Sequence, residues 1–175
     1  MKTLADEEVA AFREQGYLVK RDVFDDAEID HLRSGYDYIT SLVEQGGIDE
    51  QYLKSAGPEV HIHLQAPAGT PAADSIRFLR KVQWPSMLHP AFEEIRTSAK
   101  FSGLLEPLIG TSLKQFINQI NFKMPGGDGF TPHQDAQAGW NDYAQFYITA
   151  LVCIDAATME NGCLEMVRGF HDKGL

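Results

Sequence analysis

The chain has 175 residues, of which 43% are hydrophobic and 23% charged, so an ordinary core is expected and global disorder is excluded. Its formal net charge of −10 argues against nucleic acid and anionic membrane as main partners, because both repel an acidic surface. The sequence contains no membrane-span window and no secretory signal. Since Cys153 and Cys163 are too few for a disulfide framework, we expect small buried thiols and a cytoplasmic protein.

The first part of the chain predicts two helices separated by a short β-like run. The first helix is predicted over residues 3–15, with Thr3 as its cap and Gly16 as its stop. Residues 17–19 form the β-like run, and Asp25 is expected to cap the second helix. Apolar positions in this second helix recur every three or four residues, which predicts one buried face: Ile29, Leu32, Tyr36, Ile39 and Val43.

The middle of the chain has less periodicity. Residues 47–75 are rich in glycine, proline and alanine, and we expect a long loop or lid there, in which His61 and His63 contact substrate. Residues 76–83 are expected to resume as a strand or a helix. Pro90 is expected to open a third helix that runs to about residue 102.

From residue 112 the period changes to two, which predicts a strand with one apolar and one polar face. The apolar face contains Phe116, Ile120, Phe122 and Met124, and the polar face contains Gln115, Gln119, Asn121 and Lys123. Further strands are predicted over 146–154 and 163–167, joined by a tight turn at 160–162. Helices followed by antiparallel strands predict an α+β fold with a sandwich or barrel toward the C-terminus.

The segment with the most chemical content is Thr131-Pro132-His133-Gln134-Asp135. Residues i and i+2 of an extended segment point to the same side, so the imidazole and the carboxylate can converge on one ion. They would be two of the three protein ligands in a facial triad of two histidines and one carboxylate, which leaves iron(II) open positions for a 2-oxo acid and O₂. An HxD tripeptide alone is more often a loop histidine beside an acid than a metal site. The glycine-rich turn before it and the predicted strand after it favour a pocket in a β-sandwich.

Several blocks of the sequence resemble the phytanoyl-CoA dioxygenase family of iron(II)- and 2-oxoglutarate-dependent oxygenases. These blocks are FREQGYLVKRDVFDDAEIDHLR near the start, then INFKMPGGDGFTPHQD, then YITALVCIDAATMENGCLEMVRGFH. The resemblance implies a double-stranded β-helix, a cupin-like jelly roll with N-terminal helices packed on it. It also implies oxidation of an unactivated C–H bond while 2-oxoglutarate is decarboxylated to succinate and CO₂.

The resemblance further implies roles for individual residues. His133 and Asp135 match the metal ligands, and the carboxylate implies hydroxylation, because related halogenases carry a small residue in its place. Lys81 lies in a segment similar to one whose lysine contacts 2-oxoglutarate. Gln119 and Leu151 are further candidates for contacts to the cosubstrate, although relatives carry other residue types at these positions. Candidates for the substrate pocket are Asn121, Lys123, Trp140 and Tyr147, with Tyr143 as a third member of an aromatic wall. The alternatives are that Lys81 is an ordinary surface lysine and that the aromatic residues pack in the core or at the rim.

The family's second metal histidine, and an arginine that binds the distal carboxylate of 2-oxoglutarate, lie further along the chain than residue 175. We therefore expect residues 1–175 to be a single oxygenase domain that is C-terminally truncated and carries two of the three ligands. A third ligand from His61, His63 or His171 is the alternative.

The expected function is hydroxylation of a small polar metabolite. The polar strand face of Gln119, Asn121 and Lys123 favours an aminoalkylphosphonate or an amino acid as substrate. Three alternatives stay open: a non-catalytic cupin-like binding module, a metal hydrolase or isomerase on a cupin barrel, and a hydroxylase of an acyl-CoA or other lipid.

Overall fold

The structure is a computed structural model and describes residues 3–48, 50–57, 59–110, 113–142, 144 and 146–174. Its helices are α1 (Asp6–Gln15), α2 (Asp26–Glu44), α3 (Glu50–Ala56), α4 (Ala72–Ser75), α5 (Pro90–Thr97) and α6 (Ala99–Ile109). Its strands are β1 (His61–Leu64), β2 (Leu79–Gln83) and β3 (Gln119–Asn121). Short 3-10 turns lie at Ile76–Phe78, Pro85–Met87, Asp135–Ala138 and Trp140–Asp142.

The chain divides into two compact units. We call the first the sheet unit, which comprises Asp26–Arg96 and Ile117–Gly129. We call the second the terminal unit, which comprises Met1–Asp25, Thr97–Phe116 and Phe130–Leu175.

The strands form one antiparallel sheet in the order β1-β2-β3. Ile62 of β1 pairs with Val82 of β2, and Val82 pairs with Ile120 of β3. Val82 is 0% exposed and Ile120 is 8% exposed, so this row of side chains faces the interior. Because side chains alternate across a strand, the rows on either side of it face away from the core.

The core of the sheet unit is built by α2, α5 and the sheet. Gly35 lets α2 approach α5 closely, since a Cβ added there would lie 2.7 Å from Cε2 of Phe92. The Tyr36 ring lies 5.1 Å from the Phe122 ring, centroid to centroid. Every buried hydrophobic residue that the structure describes belongs to this unit: Leu32, Ile39, Val43, Val60, Leu79, Val82, Ala91, Phe92, Ile120 and Phe122. The face predicted for the second helix is therefore confirmed at three of its four aliphatic positions, Leu32, Ile39 and Val43.

In the terminal unit, the segment that follows residue 167 closes the C-terminal end of α1. Gly169 donates its backbone N–H to the Gln15 carbonyl at 2.8 Å, and His171 Nε2 donates to the Arg13 carbonyl at 3.1 Å. These bonds satisfy carbonyls that a helix end leaves without a partner. Gly16 ends the helix with a φ of 84°, and a Cβ added there would lie 2.3 Å from His171 Nδ1. Glycine is thus required there both by its conformation and by the imidazole packed on it.

Several helix boundaries differ from the prediction. Helix α1 begins at Asp6, and its cap is Ala5, whose N–H is accepted by the Glu8 carboxylate at 2.9 Å; Thr3 is not the cap. The run at 17–19 forms no strand. The predicted third helix is two helices, because the Ser98 hydroxyl accepts the N–H of Phe101 at 3.1 Å and starts α6.

The prediction of a long loop over 47–75 was wrong. This stretch contains α3, β1 and α4. His61 and His63 therefore lie on a strand and not in a lid. A four-residue strand has too short a pattern to be read against its glycine- and proline-rich surroundings, and its pairing with β2 is what forms it.

The later strands form only in part. The strand predicted from residue 112 is reduced to β3, and the segments 146–154 and 163–167 are not strands in the described part of the chain. The turn between them does form: Cys163 donates its N–H to the Thr158 carbonyl at 2.8 Å. A strand requires a hydrogen-bonded neighbour, and these segments leave apolar side chains exposed: Phe146, Leu151, Leu164, Met166, Val167.

The α+β class predicted for the fold is confirmed as helices with a small antiparallel sheet, without the double-stranded β-helix among the described residues. The two cysteines are free, but the expectation that they are buried was wrong, since Cys153 is exposed and Cys163 partly exposed. No helix in the described ranges combines the length and apolar character needed to cross a membrane.

Candidate metal centre

The ring orientation of His133 is fixed by a backbone carbonyl two residues earlier. His133 Nδ1 lies 2.6 Å from the carbonyl oxygen of Thr131. A carbonyl can only accept, so Nδ1 carries the proton and donates it. In the neutral ring, Nε2 then has the free lone pair that a metal ligand needs. A backbone carbonyl on the far nitrogen is the usual partner of a metal-binding histidine.

The Asp135 carboxylate is oriented in a complementary way. Asp135 is the first residue of a 3-10 turn, and Gln134 before it is extended, with φ −104° and ψ 140°. This geometry brings Asp135 Oδ1 to 3.6 Å from His133 Nε2, as predicted from the i, i+2 spacing. The other oxygen, Oδ2, accepts a hydrogen bond from the Thr149 hydroxyl.

These two atoms fit a divalent metal ion. A separation of 3.6 Å is longer than a hydrogen bond, so neither atom is committed to the other. Typical metal–ligand distances of about 2 Å to nitrogen and oxygen sum to more than this separation, so a single ion can contact both. Both side chains are partly exposed, at 48% and 35%.

Within the described ranges, no group of three or more histidine, cysteine, aspartate or glutamate side chains is arranged to hold a metal ion. The candidate centre is therefore a pair. His171, one proposed source of a third ligand, instead uses Nε2 to donate to the Arg13 carbonyl. His61 and His63, the other source, belong to β1 of the sheet unit.

The residue between the two candidate ligands anchors the segment. The Gln134 side chain donates through Nε2 to the carbonyls of Phe170, at 3.3 Å, and Gly174, at 2.9 Å. Its backbone N–H donates to Gln137 Oε1 at 3.1 Å. No local pattern predicts this role of Gln134 or that of Thr149, because each hydrogen bond joins residues 14 to 40 positions apart.

An aromatic cluster of Phe116, Trp140 and Tyr147 lies in the same unit. Its centroids are 5.4 Å apart for Phe116 and Trp140, 6.1 Å for Phe116 and Tyr147, and 5.9 Å for Trp140 and Tyr147, all edge-on. Desolvation, and then the negative charge of Asp135, raise the pKa of Tyr147, so the phenol is within electrostatic reach of that carboxylate. The structure thus brings two predicted wall residues together and adds Phe116, which had been assigned to a strand face. Tyr143 lies outside the described residues.

The remaining predicted site residues fall in different places. Leu151 is 58% exposed in the terminal unit. Lys81 is on the central strand β2 of the sheet unit, paired with Asn121 of β3. Gln119 Nε2 donates to Asn121 Oδ1 at 3.4 Å, and Lys123 follows β3 as an exposed residue.

Comparison with known proteins gives a match to the phytanoyl-CoA dioxygenase family over residues 12–175. The chain belongs to this family. The blocks in which the resemblance was seen, including His133 and Asp135, lie within the matched range. No solved structure gave a significant match.

Three relatives within or beside this family match the chain over stretches of different length. A methylphosphonate hydroxylase of Gimesia maris is 28% identical over 173 residues, which are 99% of this chain and 59% of that protein. A 2-aminoethylphosphonate dioxygenase of an uncultured bacterium is 44% identical over 71 residues, 41% of this chain and 27% of the relative. A dioxygenase of Epichloe uncinata is 39% identical over 72 residues, 41% of this chain and 28% of the relative. The chain thus spans about three fifths of the methylphosphonate hydroxylase.

Proposed function

We propose that the full-length protein is an iron(II)- and 2-oxoglutarate-dependent dioxygenase that hydroxylates a C–H bond of a small phosphonate, with release of succinate and CO₂. His133 and Asp135 are two of its three iron ligands. Iron(II) would supply the binding and activation of O₂ next to the 2-oxo acid. Family membership supports the reaction class, and the printed names of two relatives support a phosphonate as the substrate.

The observation that carries this proposal is the arrangement of the His133 imidazole. Its Nδ1 proton is held by the Thr131 carbonyl, and its Nε2 faces an oxygen of Asp135 at 3.6 Å. A loop histidine beside an acid has no need of a fixed tautomer, whereas a metal ligand does. Iron requires a third ligand, and we propose that a further histidine of the full-length protein provides it.

The other predicted site residues have proposed roles in the same reaction. Lys81 binds a carboxylate of 2-oxoglutarate, since its ammonium is a compact positive charge on the polar face of the sheet. Gln119 and Leu151 are proposed as further cosubstrate contacts, and Asn121 and Lys123 as substrate contacts. The aromatic cluster that includes Trp140 and Tyr147 is proposed to shield the reacting carbon from water.

The double-stranded β-helix is part of the same proposal. We propose that residues 1–175 belong to a single oxygenase domain in which the segments 146–154 and 163–167 become strands. The exposed side chains of Leu151 and Leu164 support this, because neighbouring strands would bury them. An experimental structure of the full-length, iron-loaded protein in which these segments are not strands would contradict it.

The reaction is tested with the full-length protein and a panel containing 2-aminoethylphosphonate, methylphosphonate, free amino acids and an acyl-CoA. We expect succinate formation that requires iron(II) and is stimulated by a phosphonate. Stimulation by the acyl-CoA alone would assign a lipid substrate and contradict the phosphonate. Absence of any iron-dependent O₂ consumption would favour a binding module or a metal hydrolase.

The ligands and the lysine are tested separately by binding. We expect His133→Ala and Asp135→Ala to lose iron(II) binding in anaerobic titrations. Lys81→Ala should keep iron(II) binding and weaken 2-oxoglutarate binding by roughly tenfold or more, because a charged hydrogen bond is lost. Lys100→Ala is the matched control, since that lysine lies over the Phe24 ring, 5.5 Å from its centroid. An unchanged affinity for 2-oxoglutarate in Lys81→Ala would remove Lys81 from the site.

A further inference from the structure

The sheet carries a continuous polar face opposite its buried one. One cross-strand row consists of His63, Lys81 and Asn121, with Lys81 paired to both neighbours. The next polar row consists of His61, Gln83 and Gln119. The apolar row of Ile62, Val82 and Ile120 lies between them in sequence and points to the core, so both polar rows share the outer face.

This face has an unusual chemical composition for so acidic a protein. The chain has 25 aspartates and glutamates against 15 lysines and arginines, yet the three strands contain no carboxylate residue. Every side chain in the two polar rows can donate a hydrogen bond: an ammonium, imidazole N–H groups and amide NH₂ groups. A sheet face with one ammonium, many donors and no carboxylate in its strands suits an anion.

The spacing of the rows suits a small ligand with several oxygens. Directly paired residues of neighbouring strands have Cβ atoms about 5 Å apart. His61 and His63 are about 7 Å apart along the same strand, because the rise is about 3.4 Å per residue. Side chains that start at these separations can converge on one tetrahedral group, whose oxygens accept bonds from both imidazoles at once.

We propose that His61 and His63 bind the phosphonate group of the substrate on this sheet face, beside the carboxylate of 2-oxoglutarate at Lys81. The identity of the anion rests on the proposed function, whereas the anion-binding face rests on the sheet register. Both histidines are exposed on the outer strand β1, so a ligand can reach them without a change in the core. Lys81 lies on the central strand β2 and is half-buried, so its ammonium is placed to bind a second anion beside the first.

The test compares the binding of three anions by the full-length protein and by its histidine variants. Calorimetric titrations use 2-aminoethylphosphonate, inorganic phosphate and 2-oxoglutarate, first without metal and then with iron(II) under anaerobic conditions. His61→Ala/His63→Ala should bind 2-aminoethylphosphonate and phosphate about tenfold more weakly or worse, with 2-oxoglutarate affinity within about twofold of wild type. The single variants should each show part of the loss.

His31→Ala is the matched control, because His31 is an exposed residue of α2 and its Nε2 lies 3.0 Å from a carboxylate oxygen of Glu94 on α5. It should leave all three affinities unchanged. The inference is overturned if wild-type protein binds neither 2-aminoethylphosphonate nor phosphate without metal, or if the double variant binds them as tightly as wild type. Loss of 2-oxoglutarate binding with unaltered phosphonate binding would also overturn it. Failure of the proposed function has a different signature: no iron-dependent succinate formation, while anion binding at the histidines persists.

Discussion

The Thr149 hydroxyl donates a hydrogen bond to one oxygen of the Asp135 carboxylate, and the other oxygen lies 3.6 Å from His133 Nε2. One oxygen is therefore held by the protein, and the other is presented toward the imidazole. A carboxylate fixed in this way can offer one oxygen to a metal ion without first losing rotational freedom. Thr149 is thus a positioning residue, because it acts on a candidate ligand and not on the metal.

Replacing Thr149 by valine removes the hydroxyl and keeps the branched shape. We expect Thr149→Val in the full-length protein to bind iron(II) roughly tenfold more weakly, since outer partners of metal ligands commonly contribute 10- to 100-fold to affinity. Anaerobic calorimetry measures this, with thermal unfolding of the metal-free protein as the check on folding. Thr149→Ser keeps the hydroxyl and should stay within about threefold of wild type. Equal affinities for Thr149→Val and wild type would show that the carboxylate is oriented without this bond.

The phenol of Tyr147 should respond to the charge of Asp135. Desolvation is the larger reason that the pKa of Tyr147 is raised, and the carboxylate charge is the second. Asp135→Asn removes the charge and keeps the shape, so the pKa of Tyr147 should fall while remaining above its ordinary value. Ultraviolet difference titration against Tyr147→Phe isolates this phenol. A titration that is identical with and without the Asp135 charge would contradict the assignment.

The raised pKa of Tyr147 also determines how the stability of the fold depends on pH. A raised pKa in the folded state means that the folded protein holds this proton more tightly than the unfolded chain. The contribution to stability is therefore fully present below the ordinary pKa of tyrosine and is lost as the pH rises through the folded-state pKa of Tyr147. Urea unfolding of wild type and Tyr147→Phe across alkaline pH should show the wild type losing more stability.

Local signals in the sequence predicted α1, α2 and the candidate ligand pair. Gly16 ends α1 with positive φ, and α2 buries three of the five positions that its period of three and four indicates, Leu32, Ile39 and Val43. The His133–Asp135 pair was also predictable, because an i, i+2 relationship depends only on the conformation of the residue between them.

Non-local relationships account for what the sequence did not predict. β1 is four residues long and exists through pairing with β2, so no local pattern separates it from a loop. Thr149 is 14 residues from Asp135, and Gln134 contacts a carbonyl 40 residues away. The segment 146–154 was predicted as a strand, but a strand forms only where a neighbour supplies its hydrogen bonds.

Gly16 offers a test of how the end of α1 is packed. Gly16→Ala should destabilise the protein by about 1–3 kcal/mol, because a left-handed conformation is strained for alanine and its Cβ would clash with His171. Gly69→Ala is the matched control, because its φ is 83° and an added Cβ would meet no atom within 4 Å. Its loss of stability should therefore reflect only the strain of the left-handed backbone. In the background of His171→Ala, Gly16→Ala should cost less than in wild type. Additive effects in urea unfolding would show that the imidazole does not pack on Gly16 in solution.

The concentration of buried side chains in the sheet unit predicts an asymmetric response to truncation of apolar residues. Ile120 is 8% exposed and packs in the row with Val82, so Ile120→Ala should lower the free energy of unfolding by about 2–4 kcal/mol through lost burial and a cavity. Leu151 is 58% exposed, so Leu151→Ala should change that free energy by less than about 0.5 kcal/mol. Urea denaturation of residues 1–175 measures both, because the side chains that bury Ile120 lie within this chain. If the same pair is measured in the full-length protein and Leu151→Ala becomes strongly destabilising there, Leu151 is buried by residues outside this chain. That result would support the proposed β-helix, whereas an equally small effect in both proteins would contradict it.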